Sequence, residues 1–315
     1  MTEIELITTK IREEFGASDA KRDEGLITPS DIQRYDNICY GKDPVWQSLD
    51  LYRPKSMKGE KLPVIVSVHG GAWVYGTKEV YQFYCMRLAQ FGFAVVNFNY
   101  RLAPENKFPA SLEDTNLVFQ WIKANKDNFQ LDIENVFAVG DSAGGHLLGL
   151  YAGFATNPEF AKNFAFEYPK SVKLRKIALN CGKYILNKED YDDPQAAALL
   201  AALLEKGGTK EEIDLIDVTT KVTSNYPETF VMTCPGDFLK NQAILMVKAL
   251  EKNDVPFEYH FYGNKENPLG HVFHVNQRLA EAEICNKDQT DFFKKGIGES
   301  PIKHLQFFTD MELLG

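Results

Sequence analysis

From about residue 49 the sequence alternates short, nearly unbroken apolar runs with segments of helical period. That rhythm constrains the chain to a mainly parallel sheet covered by helices. Strands buried on both faces lose the polar alternation of a half-exposed sheet, and helical crossovers connect parallel neighbours. Strands are expected at 49–53, 63–68 (PVIVSV), 93–97 (FAVVN), 136–139, 176–179, 230–233 and 257–262. Between 110 and 125, Leu112, Leu117, Val118, Trp121 and Ile122 recur at helical spacing. Further helices are expected from Ser142 onward, over 241–252 and over 277–295.

Two stretches fall outside the rhythm. Residues 1–45 read as an amphipathic helix and a charged, loop-like segment. Residues 184–226 contain an Ala- and Leu-rich helix, 195–206, closed by Gly207-Gly208, and then Thr209-x-x-Glu212, a capping-box pattern that opens another short helix. With no internal repeat and no flexible linker, the expectation is one α/β domain over 1–315, with helical cap elements at about 1–45 and 184–226.

Charge narrows the partners. The chain of 315 residues carries 35 Lys and Arg against 44 Asp and Glu, a net −9. Such a surface repels phosphate backbones and anionic headgroups, which argues against nucleic acid and membrane as partners. No apolar stretch approaches the ~18 residues of a membrane helix. The opening MTEIELITTKIREEFG lacks a basic start followed by an apolar block, so a cytoplasmic location is expected. Five scattered cysteines, Cys39, Cys85, Cys181, Cys234 and Cys285, suggest reduced thiols rather than a disulfide framework or a zinc site. HExxH, GxGxxG and GxxxxGK[ST] are absent, so no metal or cofactor is expected, and Asp192-Asp193 reads as a solvated loop.

The chemistry concentrates in four places. Gly140-Asp141-Ser142-Ala143-Gly144-Gly145 holds G-x-S-x-G between a strand and a helix, where the sharp turn pushes a serine out of the sheet edge. His69-Gly70-Gly71-Ala72-Trp73 directly follows the strand PVIVSV, and its glycines let backbone N–H groups approach a ligand oxygen. Asp237 follows the strand-like run ending at 233, and His271 follows the last strand by a loop, so the order is serine, acid, histidine. Asp254 is the competing acid, but it precedes the last strand and should lie at the opposite sheet edge. His274 competes with His271 and is assigned to packing or a surface hydrogen bond. His146 lies one helical turn past Ser142, while His260 and His304 are read as structural.

These motifs occur in one order with Tyr100-Arg101-Leu102-Ala103-Pro104-Glu105, Phe108-Pro109-Ala110, Asp237-x-Leu239 and His271-x-Phe273. Together they resemble the hormone-sensitive-lipase-like family of α/β-hydrolase esterases over roughly residues 49–290. The resemblance implies a Ser142–Asp237–His271 triad, oxyanion donors from the N–H groups of Gly70, Gly71 and Ala143, and a serine carboxylesterase acting on short acyl esters. It is compatible with a homodimer. Trp73 is expected to shape the pocket, and the Tyr100–Glu105 segment to brace the active-site loops. The same triad can hydrolyse amides, and the same fold can serve a binding protein without turnover. One departure stands out: where the family commonly has proline after the acid, this chain has Phe238.

Overall fold

The computed structural model describes residues 2–186 and 192–297. Eight strands form one sheet: β1 (Ile32–Cys39), β2 (Ser48–Pro54), β3 (Leu62–Val68), β4 (Ala94–Phe98), β5 (Leu131–Asp141), β6 (Leu174–Asn180), β7 (Glu228–Thr233) and β8 (Phe257–Phe261). The spatial order is β1-β2-β4-β3-β5-β6-β7-β8. β1 and β2 pair antiparallel, as do β2 and β4; every pairing from β4 to β8 is parallel. This is the α/β-hydrolase fold expected from the sequence.

The helices are α1 (Glu3–Asp23), α2 (Lys78–Gln90), α3 (Ala110–Asn125), α4 (Ala143–Thr156), α5 (Pro158–Ala161), α6 (Pro194–Leu203), α7 (Lys210–Ile216), α8 (Lys240–Lys252) and α9 (Ala280–Lys294). The central strands have both faces covered. Val64, Val66, Val96 and Ala138 belong to one buried cluster, while Ile65, Val95, Phe137 and Val139 belong to another, as the period-two geometry of a strand requires. Among the described residues no helix is long and apolar enough to cross a membrane.

Several boundaries differ from expectation. Residues 32–39 form the edge strand β1 rather than a loop; only Ile32 is buried, and the charges that hid the strand suit an unpaired edge. Helix α2 carries no expectation at all, and β5 begins at Leu131 rather than 136. The last helix starts at Ala280, three residues later than its periodicity suggested, and α6 ends at Leu203. Thr209 and Glu212 do form the capping box of α7, and Asp193 caps α6 by accepting from the N–H groups of Gln195 and Ala196. His304 and residues 187–191 of the expected cap lie outside the described residues.

The segment from Tyr100 to Glu105 braces the loops around it. The Tyr100 hydroxyl donates to the His69 carbonyl at 2.8 Å, and the Ala103 N–H donates to the Trp73 carbonyl at 3.0 Å. Arg101 binds the buried Asp114 through its backbone N–H, Nε and Nη2, at 2.7 to 3.0 Å, while Gln47 donates to the same carboxylate at 2.7 Å. Removing Asp114 would leave Arg101 with Glu113, which its Nη2 also meets at 2.8 Å, but would strip Gln47 and the Arg101 backbone N–H of their shared acceptor. Asp114→Ala is therefore expected to lower unfolding stability by about 1–3 kcal/mol, seen as a lower urea midpoint; an unchanged midpoint would refute the bracing role.

Candidate active site

Because β3 to β8 run parallel, their C-terminal ends gather on one edge, the edge at which open α/β sheets place ligands. Ser142 sits there between β5 and α4 with φ 51° and ψ −120°, a backbone conformation costly for a residue with a Cβ. Its N–H donates to the Asn180 carbonyl at 3.1 Å, and its carbonyl accepts from the N–H groups of His146 and Lys183. The elbow is thus locked to the end of β6. The turn closes only because position 144 is glycine: a Cβ there would lie 2.2 Å from the Val68 carbonyl oxygen and 2.4 Å from that of His69. The first turn of α4 rests on the end of β3.

The acid and the histidine meet as the sequence order suggested. His271 Nδ1 lies 2.7 Å from Asp237 Oδ1. A carboxylate only accepts, so Nδ1 carries a proton, and in the neutral ring Nε2 is the free lone pair. Asp237 also accepts from Thr233 Oγ1 at 2.7 Å and from the Leu239 N–H at 2.9 Å. Burial pushes this carboxyl upward, but the hydrogen bonds from His271 and Thr233 outweigh it and hold it below its ordinary value. The two loops are tied together: the Gly236 N–H donates to the Leu269 carbonyl at 3.0 Å, and Cys234 Sγ to the Gly270 carbonyl at 3.2 Å. Cys181 Sγ, the Asp237 carboxylate and a His271 ring nitrogen lie within 4.8 Å of one another, the one such cluster of three among the described residues. The Ser142 hydroxyl makes no hydrogen bond to His271 in this structure.

The competing residues fall elsewhere. Asp254 follows α8 at φ 54°, before β8. His274 is fully buried, its ring edge-on to Tyr84, and burial pushes it down to about 3. His260 sits in β8 beside Glu258 at 3.1 Å and stacks on Phe230.

The loop after β3 brings one correction. The Gly70 N–H is not free: it donates to the buried Tyr81 hydroxyl at 3.0 Å, which in turn donates to Asp141 Oδ2 at 2.7 Å. The N–H groups of Gly71 and Ala72 have no partner among the described residues, and the Ala143 N–H opens α4 without one. Gly71 has φ 123°, and a Cβ there would lie 2.1 Å from the Tyr75 carbonyl oxygen, so the tight loop depends on glycine. Tyr81 escaped sequence reasoning because α2 did; Asp141 was visible inside the serine motif but carried no assigned role.

Trp73 is buried and tied to two other elements. Its Nε1–H donates to His146 Nδ1 at 3.2 Å, and His146 Nε2 lies 2.9 Å from the Ile216 carbonyl at the end of α7. The carbonyl fixes the proton on Nε2, so the neutral ring satisfies both partners, and burial pushes its pKa down to about 4. From the other side, Arg12 of α1 donates to the Val74 carbonyl at 2.8 Å and the Ala103 carbonyl at 3.0 Å and pairs with Glu105.

Residues 49–243 match the family model BD-FAE. This chain belongs to that family. It stands with the hormone-sensitive-lipase-like α/β-hydrolase esterases. Esterase B from Lactobacillus rhamnosis superposes with a TM-score of 0.84 at 25% identity, over 92% of this chain and 96% of that one. Versiconal hemiacetal acetate esterase from Dothistroma septosporum is 27% identical over 74% of each chain. Esterase LipC from Mycobacterium tuberculosis is 36% identical over 39% of this chain, and the match spans only 30% of LipC. Within the family frame, the elbow, the Asp–His pair and the glycine loop all occupy one sheet edge.

Asp141 offers a test of how the elbow is held. Burial pushes its carboxyl from 3.8 up to about 7, against the opposing pull of the Tyr81 hydrogen bond. Between those values the folded state holds a proton that the unfolded chain has released. Its contribution to stability is therefore complete below the unfolded value and drains away as pH rises through about 7. Asp141→Asn can still accept from Tyr81 but does not titrate. Its stability relative to wild type should improve steadily between roughly pH 5 and pH 8 in urea unfolding, and a difference that does not move with pH would refute the assignment.

Proposed function

We propose that the protein is a serine carboxylesterase that cleaves short-chain acyl esters through an acyl-enzyme. The observation that carries this reading is the backbone of Ser142. Its positive φ serves no structural hydrogen bond of its own side chain, and the strain holds the hydroxyl at the sheet edge where Asp237 and His271 pair. On substrate binding, Ser142 Oγ closes on His271 Nε2, which takes its proton as the oxygen attacks the ester carbonyl. Asp237 holds the Nδ1–H tautomer and stabilises the imidazolium. The N–H groups of Gly71 and Ala143, with Ala72 beside them, meet the developing oxyanion; Gly70 acts behind them by anchoring the loop to Tyr81. His271 then gives its proton to the leaving alcohol oxygen, and water repeats the sequence in reverse to release the acid.

Trp73 is assigned to the wall of the acyl pocket, held by His146. The helices α1, α6 and α7 are assigned as the cap, on the contacts of Ile11 and Ala202 with Val74 and Ala103 of the loop region. Short acyl chains are favoured by the relatives: versiconal hemiacetal acetate esterase acts on an acetate by its name, and esterase B has been solved inhibited by a tributyrin phosphonate. The free thiols, four of them buried, suit a reducing compartment such as the cytoplasm.

Hydrolysis of p-nitrophenyl esters from acetyl to dodecanoyl, with wild type and variants side by side, tests the reading. Turnover should peak at acetyl to butyryl. Ser142→Ala should lose at least about 10⁴-fold in kcat, and Asp237→Asn roughly 10⁴-fold through the wrong histidine tautomer. Retained activity in Ser142→Ala would overturn the mechanism, and a dodecanoyl optimum would overturn the chain-length assignment.

A further inference from the structure

Phe238 follows Asp237 on the turn between β7 and α8. It is 76% exposed, yet its ring lies against the imidazole of His271, with centroids 4.4 Å apart and planes at 44°. Single exposed apolar side chains are ordinary and need no explanation. This one is set apart by what it touches. The turn that presents it is held at three points: the Asp237 N–H donates to the Cys234 carbonyl at 3.1 Å, the Leu239 N–H to Asp237 Oδ1 at 2.9 Å, and the Lys240 N–H to the Asp237 carbonyl at 3.2 Å. The backbone of the turn is thereby held, and it presents an apolar ring beside the catalytic base with most of its area open to solvent.

In an acyl-transfer reaction the leaving alcohol oxygen takes its proton from the histidine, so it must come within about 3 Å of the imidazole. Whatever group is attached to that oxygen begins a few ångströms from a ring in contact with the same imidazole. We propose that Phe238 is a specificity-determining platform for the alcohol half of the substrate, and that the preferred substrates are short acyl esters of aromatic alcohols. The proposal rests on the serine-esterase reading. Aromatic rings gain from offset and edge-on contacts beyond the area they bury, which an aliphatic alcohol of similar size cannot match.

The test compares two acetates whose alcohols are of similar acidity but differ in carrying an aromatic plane, phenyl acetate and hexafluoroisopropyl acetate. The readout is the ratio of their kcat/KM values. Loss of the Phe238 ring could also loosen His271, but that would slow both esters alike and cancel in the ratio. Wild type should favour the phenyl ester. In Phe238→Leu and Phe238→Ala the ratio should fall roughly 2- to 10-fold, and Phe238→Trp should keep or raise it. An unchanged ratio in Phe238→Leu overturns the aromatic platform, whatever Phe238→Ala does, because leucine keeps the apolar bulk. Ser142→Ala is run on both esters. If it remains active, or if folded wild type turns over neither, the esterase reading itself fails; if it is inactive while the Phe238→Leu ratio holds, only the platform fails.

Discussion

The close approach of α4 to the end of β3 is the constraint on which the rest of the active-site edge depends. With glycine at position 144, the first turn of α4 sits on the carbonyls of Val68 and His69. That contact brings the N-terminus of the helix, with its unpaired Ala143 N–H, beside the loop that presents the N–H groups of Gly71 and Ala72. In the proposed oxyanion site neither set of donors acts alone. Helix α4 supplies one orphan N–H and a dipole, and the β3 loop supplies the others. The sharp turn at Ser142 follows from the same contact, since β5 must reverse into a helix with no room for a wider loop. The sheet contributes by parallelism: it delivers the ends of β3, β5, β6 and β7 to one edge, so residues 69, 142, 181 and 237 follow strand ends along that edge though distant in sequence.

Much of this was legible in the sequence because it is written in local signals. A buried parallel strand such as PVIVSV announces itself by unbroken apolar character, and a serine elbow by glycines at fixed offsets. Serine, acid and histidine could be ordered from their positions after successive strands. What escaped was encoded by pairing at a distance. Strand β1 carries charged residues that suit an edge and mask its alternation, so only its register with β2 reveals it. Helix α2 mixes tyrosines, a lysine and a cysteine around its circumference and is buried on much of its surface, which blurs the helical stripe. With α2 missed, Tyr81 was missed too, and the commitment of the Gly70 N–H could not be foreseen. An N–H group looks free in a sequence; only the fold shows which one a buried hydroxyl has claimed.

The loop between β3 and α2 is held from several directions by polar contacts rather than by packing alone. Trp73 reaches His146 and, through it, the end of α7; Val74 and Ala103 are gripped by Arg12; Tyr75 donates to Asp19 of α1 at 2.9 Å. Ala72 and Trp73 both adopt positive φ, at 50° and 63°, so the loop is strained as well as anchored. Such strain persists only where the surroundings over-determine it. Here the determinants come from the N-terminal helix and from α7, which makes these two elements part of what fixes the loop proposed to hold the oxyanion.

Two buried carboxylates lie close to the serine, and their environments drive them apart. Asp237 accepts from His271, Thr233 and the Leu239 N–H, and these donors outweigh the cost of burial and keep it ionised. Asp141 is also buried, its hydrogen-bonding partner is the neutral Tyr81 hydroxyl, and burial carries it up to about 7. Under the proposed mechanism, two full negative charges at this edge would compete for the imidazolium and oppose the oxyanion. A proton held by Asp141 up to about pH 7 lessens that opposition and leaves Asp237 as the stronger negative partner of His271. The partition depends on hydrogen-bond donors and depth of burial and not on residue type, since both groups are aspartates.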